Sequence, residues 1–252
     1  MPFRLLCITA HPDDESLAFG GALLMAHRAG VETHLLCLTD GQAAHYRGEA
    51  ADRAELGRLR RAELAAACEV LGVSGFEVLH YPDGELLKQD ILALTGVIAE
   101  RIRTLRPHVI LTFGGDGSAN LHRDHTVVCM ATTAAFHWAA RDIYFPEQIE
   151  RGLASYAPQK LYYISTPFVT VRDKPKLASL PTIPYSLTLE LGEFADKKME
   201  AFARHTTQAG VLDRVLDLLE PHKSIERYLL VAAPGHVEIG SDAGLFAGVI
   251  AD

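Results

Sequence analysis

Cysteine is scarce in this 252-residue chain, and Cys7, Cys37, Cys68 and Cys129 stand singly inside apolar segments with no CxxC or CxH spacing. A thiolate metal cluster and a disulfide framework are thereby disfavoured, and buried reduced thiols of a cytosolic protein are expected. Long apolar runs are also missing. The longest, 127–136 and 228–234, fall well short of the roughly 20 residues that span a bilayer. No basic stretch leads into an apolar core and a small-residue cleavage site at the start. We therefore expect a soluble, cytoplasmic protein with no membrane partner. Positive charge is in deficit, with 24 Lys and Arg against 32 Asp and Glu and a formal net charge of -8. The cations Arg58, Arg60, Arg61, Lys197 and Lys198 are scattered and line no single face, which argues against nucleic acid as a partner. Finally there is no Ser/Gly linker and no repeat of fixed period. That leaves one domain over 1–252, with a regular core at 1–142 and a less regular part at 143–252 shaping a pocket.

What is present is an alternation. Strand-like runs at 4–9, 33–39, 76–81 and 109–113 are separated by amphipathic helical stretches at 15–29, 51–71 and 90–105, punctuated by Gly30, Gly72 and Pro107. The strands are apolar throughout instead of alternating with polar residues, the signature of a mostly parallel sheet covered on both faces. The expected class is therefore α/β, a Rossmann-like three-layer sandwich. Beyond it we expect a helix to about 141, strands at 160–165, 185–190 and 227–232, and a helix at 195–204. Pro146, Pro158, Pro167 and Pro181 mark excursions at the pocket rim. In such sheets ligands gather at the carboxyl ends of the strands. His11, Asp40, Asp83 and the loop 114–122 each follow a strand end.

Two of those positions carry chemistry. His11-Pro12-Asp13-Asp14-Glu15 follows the first strand, and His122-Arg123-Asp124-His125 follows the fourth. Each alone has a plain reading as acidic or polar residues decorating the first turn of a helix. Together they supply two imidazoles and a carboxylate for a divalent ion, with a carboxylate and an imidazole to spare. A hydrolytic metal site needs such a set: three protein ligands, an open position and a separate base. The glycines at 114, 115 and 117 lack the Lys-Ser/Thr ending of a phosphate loop, so they are read as letting backbone pass close to the metal.

With Gly20-Gly21 added, these motifs resemble the zinc-dependent N-deacetylase family named for LmbE and PIG-L. Weaker echoes extend over most of the chain: Arg60 with Glu63, Leu71-Gly72-Val73, Tyr81-Pro82-Asp83-Gly84 and His205-Thr206-Thr207-Gln208. The resemblance implies one Zn2+ per chain held by His11, Asp14 and His125, other divalent ions being possible. It further implies Asp13 as general base and His122 as the group that stabilises the oxyanion or protonates the amine. Asp124 would hold His122 and favour its charged form. The resemblance associates Arg60 and Asp83 with substrate hydroxyls, although a surface ion pair and a turn aspartate explain them as simply. His205 and Gln208 match positions bordering the pocket, or else a solvated helix end. Glu15 receives no role. The loop 41–49 and Tyr144-Phe145-Pro146 are read as lids.

The implied activity is hydrolysis of an N-acetyl group from an N-acetylglucosamine-type sugar or small conjugate, in a chain that could form a homo-oligomer. Three alternatives stand beside it: an amidase acting on a larger amide, a non-haem Fe(II) oxygenase built on two His and one carboxylate, and a non-catalytic sugar-binding module.

Overall fold

The structure is a computed structural model that describes residues 2–170, 182–235 and 242–251; Pro181 lies outside them. Its centre is a seven-stranded sheet in the order β3-β2-β1-β4-β5-β7-β6. The strands are β1 (Arg4–Thr9), β2 (Glu32–Thr39), β3 (Gly75–Tyr81), β4 (Val109–Thr112), β5 (Lys160–Ser165), β6 (Leu187–Glu190) and β7 (Ile225–Ala232). The first five run parallel; β7 pairs antiparallel with both β5 and β6. The apolar strand pattern thus has its expected cause. Leu5, Leu6, Cys7 and Ile8 of the central strand are wholly buried. All four cysteines are buried and unbonded.

The crossover helices begin and end where their sequences direct. Asp52 accepts the Glu55 N–H at 2.9 Å to start α3 (Arg53–Leu71), and Gly72 in the left-handed region closes it. Asp90 accepts the N–H groups of Leu92 and Ala93 to start α4 (Ile91–Leu105). Chain order along the sheet reverses between β1 and β4. The crevice outside their carboxyl ends is therefore the switch point at which parallel sheets bind ligands. Both motifs lie there.

One predicted helix is broken. The stretch 15–29 forms α1 (Asp14–Leu17) and a separate α2 (Gly20–Arg28). The restart is set by Glu226 of β7, whose carboxylate accepts the N–H groups of Gly21 at 2.7 Å and Ala22 at 2.9 Å. A Cβ on Gly21 would stand 2.8 Å from Glu226 Oε1 and 2.3 Å from Leu191 Cδ2, so only glycine lets the helix reach its cap. Lys198 Nζ at 2.7 Å and the Tyr228 hydroxyl at 2.7 Å complete the Glu226 shell. Because Lys198 is buried, Glu226→Ala leaves an unpaired interior cation and two open amides. The expected loss is about 3–5 kcal/mol, read as a lower urea midpoint; a loss below about 1 kcal/mol would show that the cluster is not sealed.

The remaining helices are α5 (Arg123–Trp138), α6 (Pro146–Glu150), α7 (Phe194–Phe202) and α8 (Ala209–Leu219). The first ends three residues before the expected 141, and α6 and α8 were not anticipated. Among the described residues no helix is long and apolar enough to cross a membrane.

Candidate metal centre

The β1 motif turns sharply into α1. Asp14 stabilises the turn by accepting the N–H groups of Ala10 at 3.2 Å and His11 at 2.8 Å on Oδ2. Its other oxygen, Oδ1, lies 3.2 Å from His125 Nε2. His122 is the N-cap of α5, and His125 stands one turn further in. The His125 ring stacks on Phe113, with centroids 3.8 Å apart and planes at 4°, and its Nδ1 donates to the Gly117 carbonyl at 3.1 Å. That carbonyl is available because Gly117 adopts φ 82° and packs against the His122 backbone; a Cβ there would lie 2.8 Å from His122 O. The close approach at Gly117 is thus to the His122 backbone.

With Nδ1 engaged, His125 presents the Nε2 lone pair inward, buried and without a hydrogen-bond partner. An orphaned imidazole nitrogen beside a carboxylate oxygen suits a cation between them. His11 is arranged in the same sense: Nε2 lies 2.9 Å from Asp83 Oδ1 and 3.3 Å from Asp124 Oδ2, leaving Nδ1 facing Asp14 Oδ2 at 3.6 Å. A ligating histidine is normally fixed this way, through a carboxylate on its other nitrogen. Ligand atoms of His11, His122 and His125 also lie within 4.8 Å of one another, as do those of His11, Asp83 and Asp124. A nitrogen-and-oxygen set of this kind fits zinc or a similar divalent ion.

The charges agree. Burial works against ionisation of Asp14, yet His125 and His11 hold it well below the usual carboxylate range. Burial also opposes protonation of His11, but Asp124, Asp14 and Asp83 outweigh it and raise the imidazole well above its ordinary value. Asp83 is held down at about 2 against burial, mainly by His11. The proton that three carboxylates draw to His11 occupies the place where cationic charge is wanted. His122 behaves oppositely: burial and then the neighbouring His11 and His125 lower it to about 4.

Asp13 lies beside this group with its backbone in the left-handed region, φ 115°. Arg60 from α3 donates from Nη2 to Asp13 Oδ2 at 2.9 Å and to the Pro12 carbonyl, and from Nη1 to the Gly41 carbonyl at 3.0 Å. Burial still dominates and pushes the Asp13 carboxyl up to about 6, with Arg60 opposing and Asp14 adding to the rise.

The structure brings every expected site residue to one place, but reassigns several. Asp124 does not hold His122 through its side chain. Its carboxylate contacts His11 and accepts the N–H groups of Gly84 at 2.7 Å and Leu86 at 3.2 Å. What reaches His122 is the Asp124 backbone N–H, donated to Nδ1 at 3.2 Å. This fixes a neutral ring with its proton on Nε2 and corrects the expected imidazolium. The cause is position: at the second residue of the helix, the Asp124 side chain turns back over the β3 loop while its amide faces the cap. Arg60 is 2% exposed and committed to Asp13, Pro12 and Gly41, and Asp83 is committed to His11 and the Ala43 N–H at 3.0 Å. Both border the cavity, as supports for the motif more than as free groups for substrate hydroxyls.

A cavity of about 490 Å³ opens over the site. His45 and Tyr46 of the 41–49 loop line it, as do Gln208 and the apolar Leu17, Val211, Val215 and Leu219. Tyr144 and Phe145 do not reach it. Tyr144 stacks on Trp138 at 4.5 Å and Phe145 packs against the core, so the lid reading of that stretch is corrected. Sequence reasoning missed the task of Glu15 and His205. Both are buried, with His205 Nε2 2.7 Å from Glu15 Oε1. Their partnership joins positions 190 residues apart and leaves no local signal.

A mostly parallel α/β sheet here carries a histidine and carboxylate cluster at its switch point, a candidate metal centre. Residues 6–136 match the family model of PIG-L, the GlcNAc-PI de-N-acetylases. The chain is 30% identical to the 1D-myo-inositol 2-acetamido-2-deoxy-alpha-D-glucopyranoside deacetylase of Rhodococcus jostii, covering 98% of each. It is 32% identical to the mycothiol S-conjugate amidase of Streptomyces coelicolor over 64% of this chain and 60% of that one. The N,N'-diacetylchitobiose deacetylase of Pyrococcus horikoshii superposes with TM-score 0.76 at 18% identity over 91% of this chain and 84% of that one. GalB, the 4-carboxy-2-hydroxymuconate hydratase of Pseudomonas putida, superposes with TM-score 0.67 at 19% identity over 94% and 98%. The fold by itself thus hosts more than one reaction. The chain belongs to the PIG-L family. It is an enzyme, a hydrolase acting on an amide C–N bond, which sets aside the non-catalytic module and the oxygenase.

Proposed function

We propose that this enzyme removes the acetyl group from an N-acetylglucosamine-type conjugate, giving free amine and acetate, with one Zn2+ held by His11, Asp14 and His125. The observation that carries the reading is the buried, unpartnered Nε2 of His125 beside Asp14, within reach of a carboxylate, Asp13, that belongs to no ligand pair. A bound dication supplies the charge that polarises the amide carbonyl and acidifies water beside it. Asp13, ionised above about pH 6, takes the proton of the attacking water and returns it to the departing nitrogen. His122, neutral and protonated on Nε2, donates to the carbonyl oxygen as negative charge develops. Asp83 and Asp124 hold the His11 ring, and Arg60 holds the Asp13 carboxylate.

The same cavity favours a second substrate class. Leu17, Val211, Val215 and Leu219 form an apolar part of the cavity wall, and the Streptomyces relative is a mycothiol S-conjugate amidase. A larger acyl or thioether-bearing amide suits that wall.

One panel separates these readings. Amine release is measured on N-acetylglucosamine, its inositol and malate conjugates, diacetylchitobiose and N-octanoylglucosamine, with zinc-loaded and chelator-treated enzyme. Chelator-sensitive release from an acetylated sugar is the expected result, and zinc should restore it better than magnesium. Release from the octanoyl compound alone establishes the amidase. Release that survives full metal removal overturns the metal-dependent reading.

A further inference from the structure

Glu15 and His205 are fully buried, contact no cavity and take no part in the mechanism above. A buried ion pair is rarely retained for stability, because desolvation cancels most of its attraction and apolar replacements of equal volume serve as well. What this pair touches is therefore informative. Glu15 Oε2 accepts the backbone N–H of Asp13 at 2.9 Å, while Oε1 accepts the Ser16 hydroxyl at 2.6 Å and the His205 ring N–H at 2.7 Å. Among the described residues, the side-chain hydrogen bonds of the pair beyond Ser16 go to the amide of the candidate base.

That amide needs holding. Asp13 is one of five non-glycine residues with positive φ among those described, and at 115° it is the furthest from the left-handed well. Such a conformation is sparsely populated and persists only where its surroundings impose it. Two restraints impose it here. Arg60 grips the Pro12 carbonyl and the Asp13 carboxylate from α3. Glu15 grips the Asp13 N–H, and its own second oxygen is fixed by His205 from the segment after α7.

Given Asp13 as the base, we propose that Glu15 and His205 are positioning residues. They hold the Asp13 peptide in its strained conformation, so that the carboxylate points at the attacking water, and they act on the reaction only through that geometry. His205→Phe removes the donor and keeps a flat aromatic ring, slightly larger than the imidazole; His205→Gln restores a donor. Catalysis is read as acetate release from diacetylchitobiose per equivalent of bound zinc, and geometry as the Asp13 backbone amide resonance of metal-free protein. His205→Phe should lower kcat about 10- to 100-fold with KM changed less than about twofold, and shift the Asp13 amide resonance upfield as Glu15, no longer fixed by His205, loosens its hold on that N–H. His205→Gln should recover most of both. In an Asp13→Asn background His205→Phe should cost nothing further.

Wild-type kcat per zinc in His205→Phe, with the Asp13 amide unmoved, overturns the proposal. Loss of zinc in proportion to activity, or a failure of His205→Gln to rescue, assigns the pair to folding and also overturns it. Where His205→Phe does not fold, Glu15→Gln is measured the same way, and an unchanged kcat there is equally decisive. A failure of the base assignment itself is distinct: Asp13→Asn alone would then turn over normally.

Discussion

Asp13→Asn is expected to keep one equivalent of metal and to lower kcat by about 10²–10⁴-fold, the usual contribution of a positioned acid-base group. Asparagine keeps the size of the side chain and an oxygen for Arg60, so the motif stays assembled while the proton acceptor is lost. Asp14, His11 and His125 are untouched, and metal analysis should match the wild type. The pH profile gives a second handle. Burial first, then Asp14, raises the Asp13 carboxyl to about 6 against the pull of Arg60. The base works only when ionised, so kcat/KM falls as pH drops through that value. A nearby dication favours the carboxylate, so the acid limb of the loaded enzyme should lie at or below about 6. It should vanish from the residual activity of Asp13→Asn. A metal-loaded variant with near wild-type kcat, or one that keeps the acid limb, removes Asp13 from the chemistry.

His125→Ala has the other large effect, on a different quantity. In the proposed ligand set, removing His125, whose buried Nε2 has no hydrogen-bond partner among the described residues, deletes a ligand. Metal affinity should fall by more than the roughly 10- to 100-fold that loss of an outer partner costs, and activity at stoichiometric zinc should disappear. Isothermal titration of zinc into apo-protein reads this directly, and His122→Ala is the control. The three histidines converge within 4.8 Å, so geometry alone permits His122 as a ligand in place of Asp14. If His122→Ala retains zinc and loses kcat while His125→Ala loses zinc, the ligand set is His11, Asp14 and His125. The reverse pattern makes His122 a ligand and leaves the oxyanion without its proposed donor.

Both experiments bear on residues that were legible before the fold was known. The two motifs showed themselves because each lies within five consecutive residues after an apolar strand, and local spacing survives into the structure. Asp13, His122 and the set His11, Asp14 and His125 come from those runs. Roles resting on distant partners were misread. Asp124 was paired with its neighbour His122 but serves His11, 113 positions away. Arg60 and Asp83, which the resemblance associates with substrate hydroxyls, border the cavity and are also bonded to the β1 motif and the backbone of Gly41 and Ala43. Glu15 received no role because its partner His205 is 190 positions away. The helix break at Ala18 and Phe19 was hidden for the same reason, since the carboxylate that caps α2 is on β7.

By itself the sequence determined the alternation of apolar strands and amphipathic helices, hence a parallel α/β sheet, and the identity of the side chains delivered to its carboxyl edge. These follow from burial periodicity and capping, interactions between residues a few positions apart. The tertiary structure alone decided which oxygen faces which nitrogen: that His11 is braced by Asp83 and Asp124, that His122 Nδ1 accepts a backbone amide, and that Asp13 is held in a strained turn from two sides. Hydrogen bonds act over about 3 Å, and only the folded chain brings residues separated by a hundred or more positions within that distance.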